Sequence, residues 1–223
     1  MSGGANKSFI SNPLNFLRNN VLIVELQSQV VTPSLEQGKL DVLSVKHDQG
    51  SIITVNIAKD LRHGGQKSNG KDTVVYKIGE ATGQASKHSH RFSAYYLPFM
   101  NNDFRTMTLG DKADYFFTDT MNGCSFACGP GKSPKIGHFN RVSGQNDVID
   151  QNAIDRDIQG QFPGGVLKSL TKTDYKAGIG DAASLFGIRK NGIWHFYYQV
   201  YSIAGVTKLG RIYKIGDGMP SAV

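Results

Sequence analysis

Cysteine, proline and tryptophan are scarce in this chain: its 223 residues contain two Cys, seven Pro and one Trp. Two thiols do not make the disulfide framework of a small secreted scaffold, so a reducing compartment is expected. Cys124 and Cys128 lack a second pair at ligand spacing, and His88 and His90 stand alone on a polar stretch. That argues against a zinc centre and leaves no metal or cofactor to expect. No Pro- or Ser-rich linker divides the chain, which reads as a flexible leader over residues 1–10 and one domain over 11–223. The opening residues MSGGANKSF hold one lysine and no apolar run of secretory length. The longest nearly apolar stretch, 193–206, contains His195 and Gln199 and falls short of the about 20 residues of a membrane span. A soluble monomer without a Sec signal and without membrane contact is expected.

Glycine, aromatic side chains and positive charge are present instead. With 26 Gly, 12 Phe and 9 Tyr, and short apolar runs separated by turn residues, the composition points to a β-rich domain. The net charge is +7, and residues 59–91 concentrate it, with seven Lys and Arg against Asp60, Asp72 and Glu80. Within that region KDLRHGGQKSNGKD (59–72) has no periodicity and is long for a loop in a compact domain. Arg62, His63, Lys67 and Lys71 are therefore candidates for substrate recognition, with a plain solvated loop as the alternative. A base-stacking platform needs aromatics interleaved with the cations, and only Tyr76 and Phe92 fall among them, so nucleic acid is not an expected partner.

Asn12 before Pro13 reads as a capped helix start with Leu14, Phe16 and Leu17 on its apolar face. Strands are expected over 21–31 and over 39–47 and 51–57, the last two as a hairpin around Asp48 to Gly50. Further strands are expected over 72–78, 91–99, 104–109 and 114–118. Residues 145–159 carry Val148, Ile149, Ile154 and Ile158 at near-helical spacing, which predicts a short helix. The segment 181–190 is ambiguous, whereas 193–202 and 209–215 read as closing strands, the first central because both of its faces are apolar.

The segment FFTDTMNGCSFACGPGKSPKIGHFN (116–140) carries the chemistry. Cys124 follows Gly123 just past an aromatic strand, where backbone amides lie open, and His138 comes 14 residues later in a β-favouring setting. An unperturbed thiol is only a few per cent ionised at neutral pH, so a nucleophilic cysteine needs a base, and His138 can be it. Backbone amides of the turn through Asn122, Gly123 and Ser125 could hold an oxyanion. Thr118, at the end of the preceding strand, could fix the imidazole tautomer. From spacing alone, a buried small Cys and a satisfied core His is the favoured reading. GPGKS at 129–133 lacks the leading glycine and the strand-to-helix context of a phosphate loop, and Ser125 lacks a nucleophile-elbow motif.

The same block resembles the active site of the toxin glutamine deamidases, the family of the Burkholderia lethal factor and of the cytotoxic necrotizing factor catalytic domain. The shared features are Phe-Phe-Thr at 116–118, Gly123-Cys124, Phe126-Ala127, a glycine-rich turn and then His138, with Leu97-Pro98-Phe99 upstream. Ile136 to Phe139 also resembles the chemoreceptor deamidases. The likeness covers about residues 95–140 and extends in element order over 12–57. Where the family has Ser before Gly-Cys, this chain has Asn122. The resemblance implies an α/β (α+β) fold, a compact mixed β-sandwich core flanked by helices, with Thr118, Cys124 and His138 as the catalytic trio. It further implies a bacterial toxin or effector that reaches the host cytosol. There it would convert one glutamine of a host protein, a Rho-type GTPase or a translation factor, to glutamate. A cysteine protease, a transglutaminase-like acyl transferase and a non-enzymatic basic binding module remain as alternatives. The last predicts that Cys124→Ser leaves function intact.

Overall fold

The computed structural model describes residues 3–26, 50–67, 69–81, 90–144, 148–176, 182–204, 206–215 and 221–222. The first half of the chain comprises helices α1 (Gly3–Ser11) and α2 (Pro13–Asn19) and strands β1 (Asn20–Val24), β2 (Ser51–Lys59), β3 (Gly65–Lys67), β4 (Asp72–Glu80), β5 (Phe92–Leu97) and β6 (Phe104–Thr108). Then follow β7 (Tyr115–Thr118), β8 (Ser125–Cys128), β9 (Lys135–Phe139), β10 (Val142–Ser143), β11 (Val148–Ile149), helix α3 (Gln151–Gln161), β12 (Lys168–Leu170) and helix α4 (Lys172–Tyr175). Strands β13 (Ala182–Lys190), β14 (Ile193–Ala204), β15 (Val206–Lys214) and β16 (Ser221–Ala222) complete the chain. Among the described residues no helix is long and apolar enough to cross a membrane.

Ten strands form one mixed sheet in the order β1-β4-β2-β5-β7-β13-β14-β15-β16, and β3 pairs with both β15 and β4. That double pairing joins the two ends, so the strands β4-β2-β5-β7-β13-β14-β15-β3 make a closed barrel within a mixed α+β fold. The expected sandwich is corrected in this respect: one of its layers has no free edges because it is wrapped on itself. The second layer is a four-stranded sheet, β12-β8-β9-β6, laid on the outside of the barrel wall.

Strand alternation explains the layering. Leu97, Phe116, Leu185, Phe196 and Tyr198 point outward from the barrel and pack with Phe126, Cys128, Ile136 and Leu170 of the second sheet. Their alternate neighbours Tyr96, Phe117 and Phe186 point inward, where Phe9, Phe16 and Leu17 of the helices fill the barrel end. The rings of Phe126 and Phe196 meet at 5.3 Å between centroids, which ties the layers at their centre. Each such buried ring contributes roughly 1.5–3 kcal/mol. The far face of the second sheet packs Ala127 and Phe139 on Ile154 and Phe162 around α3.

Asn12 caps α2 by accepting from Asn15 N–H, with Pro13 at the first helical position, as expected from the sequence. The leader is a correction. Residues 3–11 form α1, whose Phe9 and Asn6 are fully buried, and Asn6 bonds Ile57 N–H and the Asn56 side chain on β2. The strand expected over 21–31 runs only to Val24; residues 27–31 and the 39–47 half of the expected hairpin lie outside the described residues. The central strand β14 contributes Gln199, fully buried, which accepts from Leu22 N–H and donates to the carbonyls of Leu17 and Asn20. This pins the α2–β1 junction to the barrel. Within the ambiguous segment 181–190, residues 182–190 are β13; of the stretch 145–159, residues 148–149 are β11 and the helical part begins at Gln151, with 145–147 and 181 outside the described residues.

Candidate active site

The layer boundary brings two polar groups together. Thr118 ends β7, two residues beyond Phe116 and therefore facing the second sheet, while β9 turns Ile136 and His138 back toward the barrel. Thr118 Oγ1 lies 2.6 Å from His138 Nδ1 and 2.7 Å from the carbonyl of Leu97, its parallel-strand partner. A hydroxyl has one proton. Thr118 spends it on the Leu97 carbonyl, so the bond to the ring is donated by Nδ1–H, and the lone pair of the neutral imidazole resides on Nε2. That nitrogen is buried without a hydrogen-bond partner, and the Phe99 ring packs on the imidazole at 5.7 Å.

Cys124 stands one residue before β8. Phe126 is the register partner of His138, and extending the β8 alternation by one residue puts Cys124 diagonal to the imidazole, about 7–8 Å between backbones. Cys124, Phe126 and Cys128 share one apolar cluster, as the period of two requires. Four residues along a strand span about 13 Å, so Cys124 and Cys128 cannot form a disulfide, and both are free.

Both chemical groups are neutral in this setting. Burial pushes the Cys124 thiol up to about 12; backbone N–H groups of Asn122 and of Cys124 itself act against that, and the Asp119 charge adds to it. Burial alone lowers His138 to about 4. Cys124 is 4% exposed and His138 1%.

The glycines around the pair have specific causes. Gly123 has φ of 111°, and a Cβ there would meet Ile149 Cδ1 at 2.7 Å. At Gly137 a Cβ would strike the folded-back ring of Phe139 at 2.4 Å.

The turn itself differs from expectation. Gly123 N–H is not open to an oxyanion, because it donates to the Tyr175 hydroxyl at 2.7 Å. Asn122 is exposed and contributes its backbone rather than its side chain. Ser125 alternates to the opposite face from Cys124, where its hydroxyl is buried without a partner. Arg62, His63, Lys67 and Lys71 are not brought to the pair. They lie on or beside β3, which is four strands from β7 in either direction around the barrel. Arg62 and His63 bond the buried Asp60. Although burial raises the Asp60 pKa, those bonds and the Lys77 charge outweigh it and hold the carboxyl well below its usual range. Lys67 Nζ donates to Asn19 Oδ1 at 2.8 Å.

Three residues of the site were not singled out in the sequence. Asp119, buried, accepts from Tyr96 Oη at 2.6 Å, Phe99 N–H at 2.8 Å and Leu26 N–H at 3.2 Å, which holds the segment that carries Phe99 over the imidazole. Asn140 follows directly after β9, 5% exposed, with Oδ1 unpartnered. Tyr175 grips the cysteine turn. The signal that could have found its helix is Thr171-x-x-Asp174, the capping-box pattern that both side chains do form. A cleft of about 470 Å³ lined by Tyr95, Met107, Leu109, Lys112 and Ser133 opens one side-chain row away, since Met107 pairs with Ile136 and Arg105 with His138. Among the described residues no three His, Cys, Asp or Glu side chains are grouped to hold a metal ion. No protein-family model matches the chain, and no curated protein matches it.

Proposed function

We propose that the protein is a glutamine deamidase of the toxin type, in which Cys124 attacks the side-chain carboxamide of a glutamine in a host protein and His138 is the general base. The observation that carries the reading is the Leu97 carbonyl–Thr118–His138 chain. It sets the ring in the tautomer with a free Nε2 and leaves that buried nitrogen without a partner on the side of the sheet that Cys124 faces. A merely structural histidine would be expected to satisfy both nitrogens, since an orphaned buried polar group costs roughly 1–3 kcal/mol.

The resting charges constrain the mechanism. Burial pushes the thiol up to about 12 and the imidazole down to about 4, so a proton transfer that precedes attack would create two charges that the buried site disfavours. Attraction between the resulting thiolate and imidazolium offsets part of this. Proton transfer is therefore concerted with attack instead of preceding it. As sulfur bonds to the carboxamide carbon, its proton passes to Nε2; the imidazolium then protonates the departing nitrogen, the C–N bond breaks and ammonia leaves a thioester. Water, deprotonated by Nε2, attacks the thioester, the C–S bond breaks and sulfur recovers its proton. The net change is one carboxamide and one water to one carboxylate and ammonium. The cytotoxic necrotizing factor-like variant of the α+β fold, action in the host cytosol, and a Rho-type GTPase or translation factor as substrate belong to the same proposal.

The low exposure of Cys124 favours a second reading, in which the thiol only packs the layer boundary. Incubation with purified small GTPases and translation factors, followed by peptide mapping, separates the possibilities. Deamidation adds about one dalton at a glutamine without cleavage and disappears in Cys124→Ser, as a covalent route requires. Cleavage indicates a protease, amine incorporation an acyl transferase, and identical maps for wild type and Cys124→Ser a packing role.

A further inference from the structure

We propose that Tyr175 is the positioning residue of the nucleophile, a single buried hydroxyl that clamps the peptide groups on either side of the Gly123–Cys124 pair and thereby fixes the direction of the Cys124 side chain. The inference rests on the reading of Cys124 as nucleophile and adds to it a residue outside the catalytic trio.

Tyr175 Oη accepts from Gly123 N–H at 2.7 Å and donates to the Cys124 carbonyl at 2.9 Å. The side chain is fully buried and packs in the same apolar cluster as Cys124, so water does not compete for either bond. The clamp sits on a chain segment with few other restraints on its shape: Gly123 has φ of 111°, a region open to glycine, and Cys124 precedes the first ladder residue of β8. Rotation of the 123–124 peptide would swing the Cys124 side chain off its diagonal with His138. It would also carry away the backbone N–H of Cys124 that approaches the sulfur.

The hydroxyl is itself held from outside the turn. Tyr175 is the last residue of α4, a four-residue helix whose start is secured by Asp174 Oδ2, which accepts from Thr171 N–H at 2.6 Å and Thr171 Oγ1 at 2.9 Å. The capping box therefore sets where the phenol stands, and the phenol sets where the thiol points. The arrangement also assigns Gly123 N–H a purpose other than oxyanion binding.

The test is peptide-resolved alkylation by iodoacetamide between about pH 8 and 10, with Cys128 in the same molecule as internal reference. Tyr175→Phe keeps the ring and removes only the clamp. Cys124 alkylation is expected to slow about tenfold at each pH, the equivalent of one unit of thiol acidity, while Cys128 reacts at its wild-type rate and circular dichroism is unchanged. A variant that melts earlier yet alkylates Cys124 at the wild-type rate overturns the proposal, because the hydroxyl is then only a stability element. Should Tyr175→Phe not fold, Asp174→Ala loosens α4 with the hydroxyl intact. It is expected to slow Cys124 in the same direction, and an unchanged rate overturns the proposal. The two readings fail separately. Selective slowing in Tyr175→Phe, with no protein deamidated by wild type, leaves the clamp standing and removes the deamidase. Deamidation by wild type with unaltered Cys124 kinetics in Tyr175→Phe does the reverse.

Discussion

Replacing Thr118 by valine tests the tautomer argument with almost no change of shape. Thr118 is fully buried, and its hydroxyl serves both the His138 Nδ1–H and the Leu97 carbonyl. Valine leaves both without a partner where water does not reach. At roughly 1–3 kcal/mol for each such group, with partial relaxation, the expected loss of stability is about 2–4 kcal/mol. The chemical effect is separate. Without an acceptor at Nδ1 the ring loses about 1–2 kcal/mol of preference for the tautomer with a free Nε2, a factor of roughly 5–30, so deamidation should fall by about tenfold even in the folded fraction. The assay is the pair of imidazole nitrogen chemical shifts of His138, which distinguish a protonated from an unprotonated ring nitrogen and require no substrate. Wild type should show the proton on Nδ1 and Thr118→Val a mixture or the reverse. A proton on Nε2 in wild type, or identical shifts in the two proteins, refutes the reasoning.

Other expectations follow from the same geometry. His138 is lowered to about 4 by burial, so the unfolded chain binds a proton more readily between about pH 6.5 and 4. Stability is then full above that window and lost as pH falls through it, by about 3 kcal/mol. Urea titrations across the window should show this dependence in wild type and a smaller one in His138→Gln; equal slopes would remove the buried neutral imidazole from the account. Cys124→Ser should abolish deamidation with little change in melting temperature, whereas Cys128→Ser, whose thiol donates to its neighbour's carbonyl at Gly129 and otherwise packs in the core, should retain activity; parallel behaviour of the two variants would contradict the assignment. Gly137→Ala should lower stability by about 1–3 kcal/mol, because its Cβ would overlap the Phe139 ring and force repacking. An unshifted denaturation midpoint would show that the ring moves freely.

The strands of the barrel were legible where turn residues bracket aromatic and β-branched runs, as in β4, β5, β7 and β14. The α2 cap was readable from Asn12-Pro13. Closure was not, because it depends on β3, three residues (Gly65–Lys67) without periodicity that bridge β4 and β15 through backbone pairing. The helix α1 was missed since GGANKSFIS has little apolar periodicity and docks through one phenylalanine and a buried asparagine. In the candidate site, Thr118 and His138 lie at strand positions whose side-chain direction follows from alternation, and Cys124 was legible as the residue after Gly123, one position before β8. Tyr175, Asp119 and Asn140 could not, because long-range packing brings them to the turn, as the 51 residues between Tyr175 and Cys124 illustrate. The basic loop is conspicuous in sequence, and in the structure Arg62 and His63 bond Asp60 and Lys67 bonds Asn19, away from the Cys124–His138 pair.

The most direct measurement is a comparison of peptide masses from a host-cell extract exposed to wild type and to Cys124→Ser. A thioester at residue 124 that is opened by water predicts a gain of about one dalton confined to one glutamine of one host protein in the wild-type sample and absent from the other. Indistinguishable glutamine masses in the two extracts, with both proteins folded, would contradict the account.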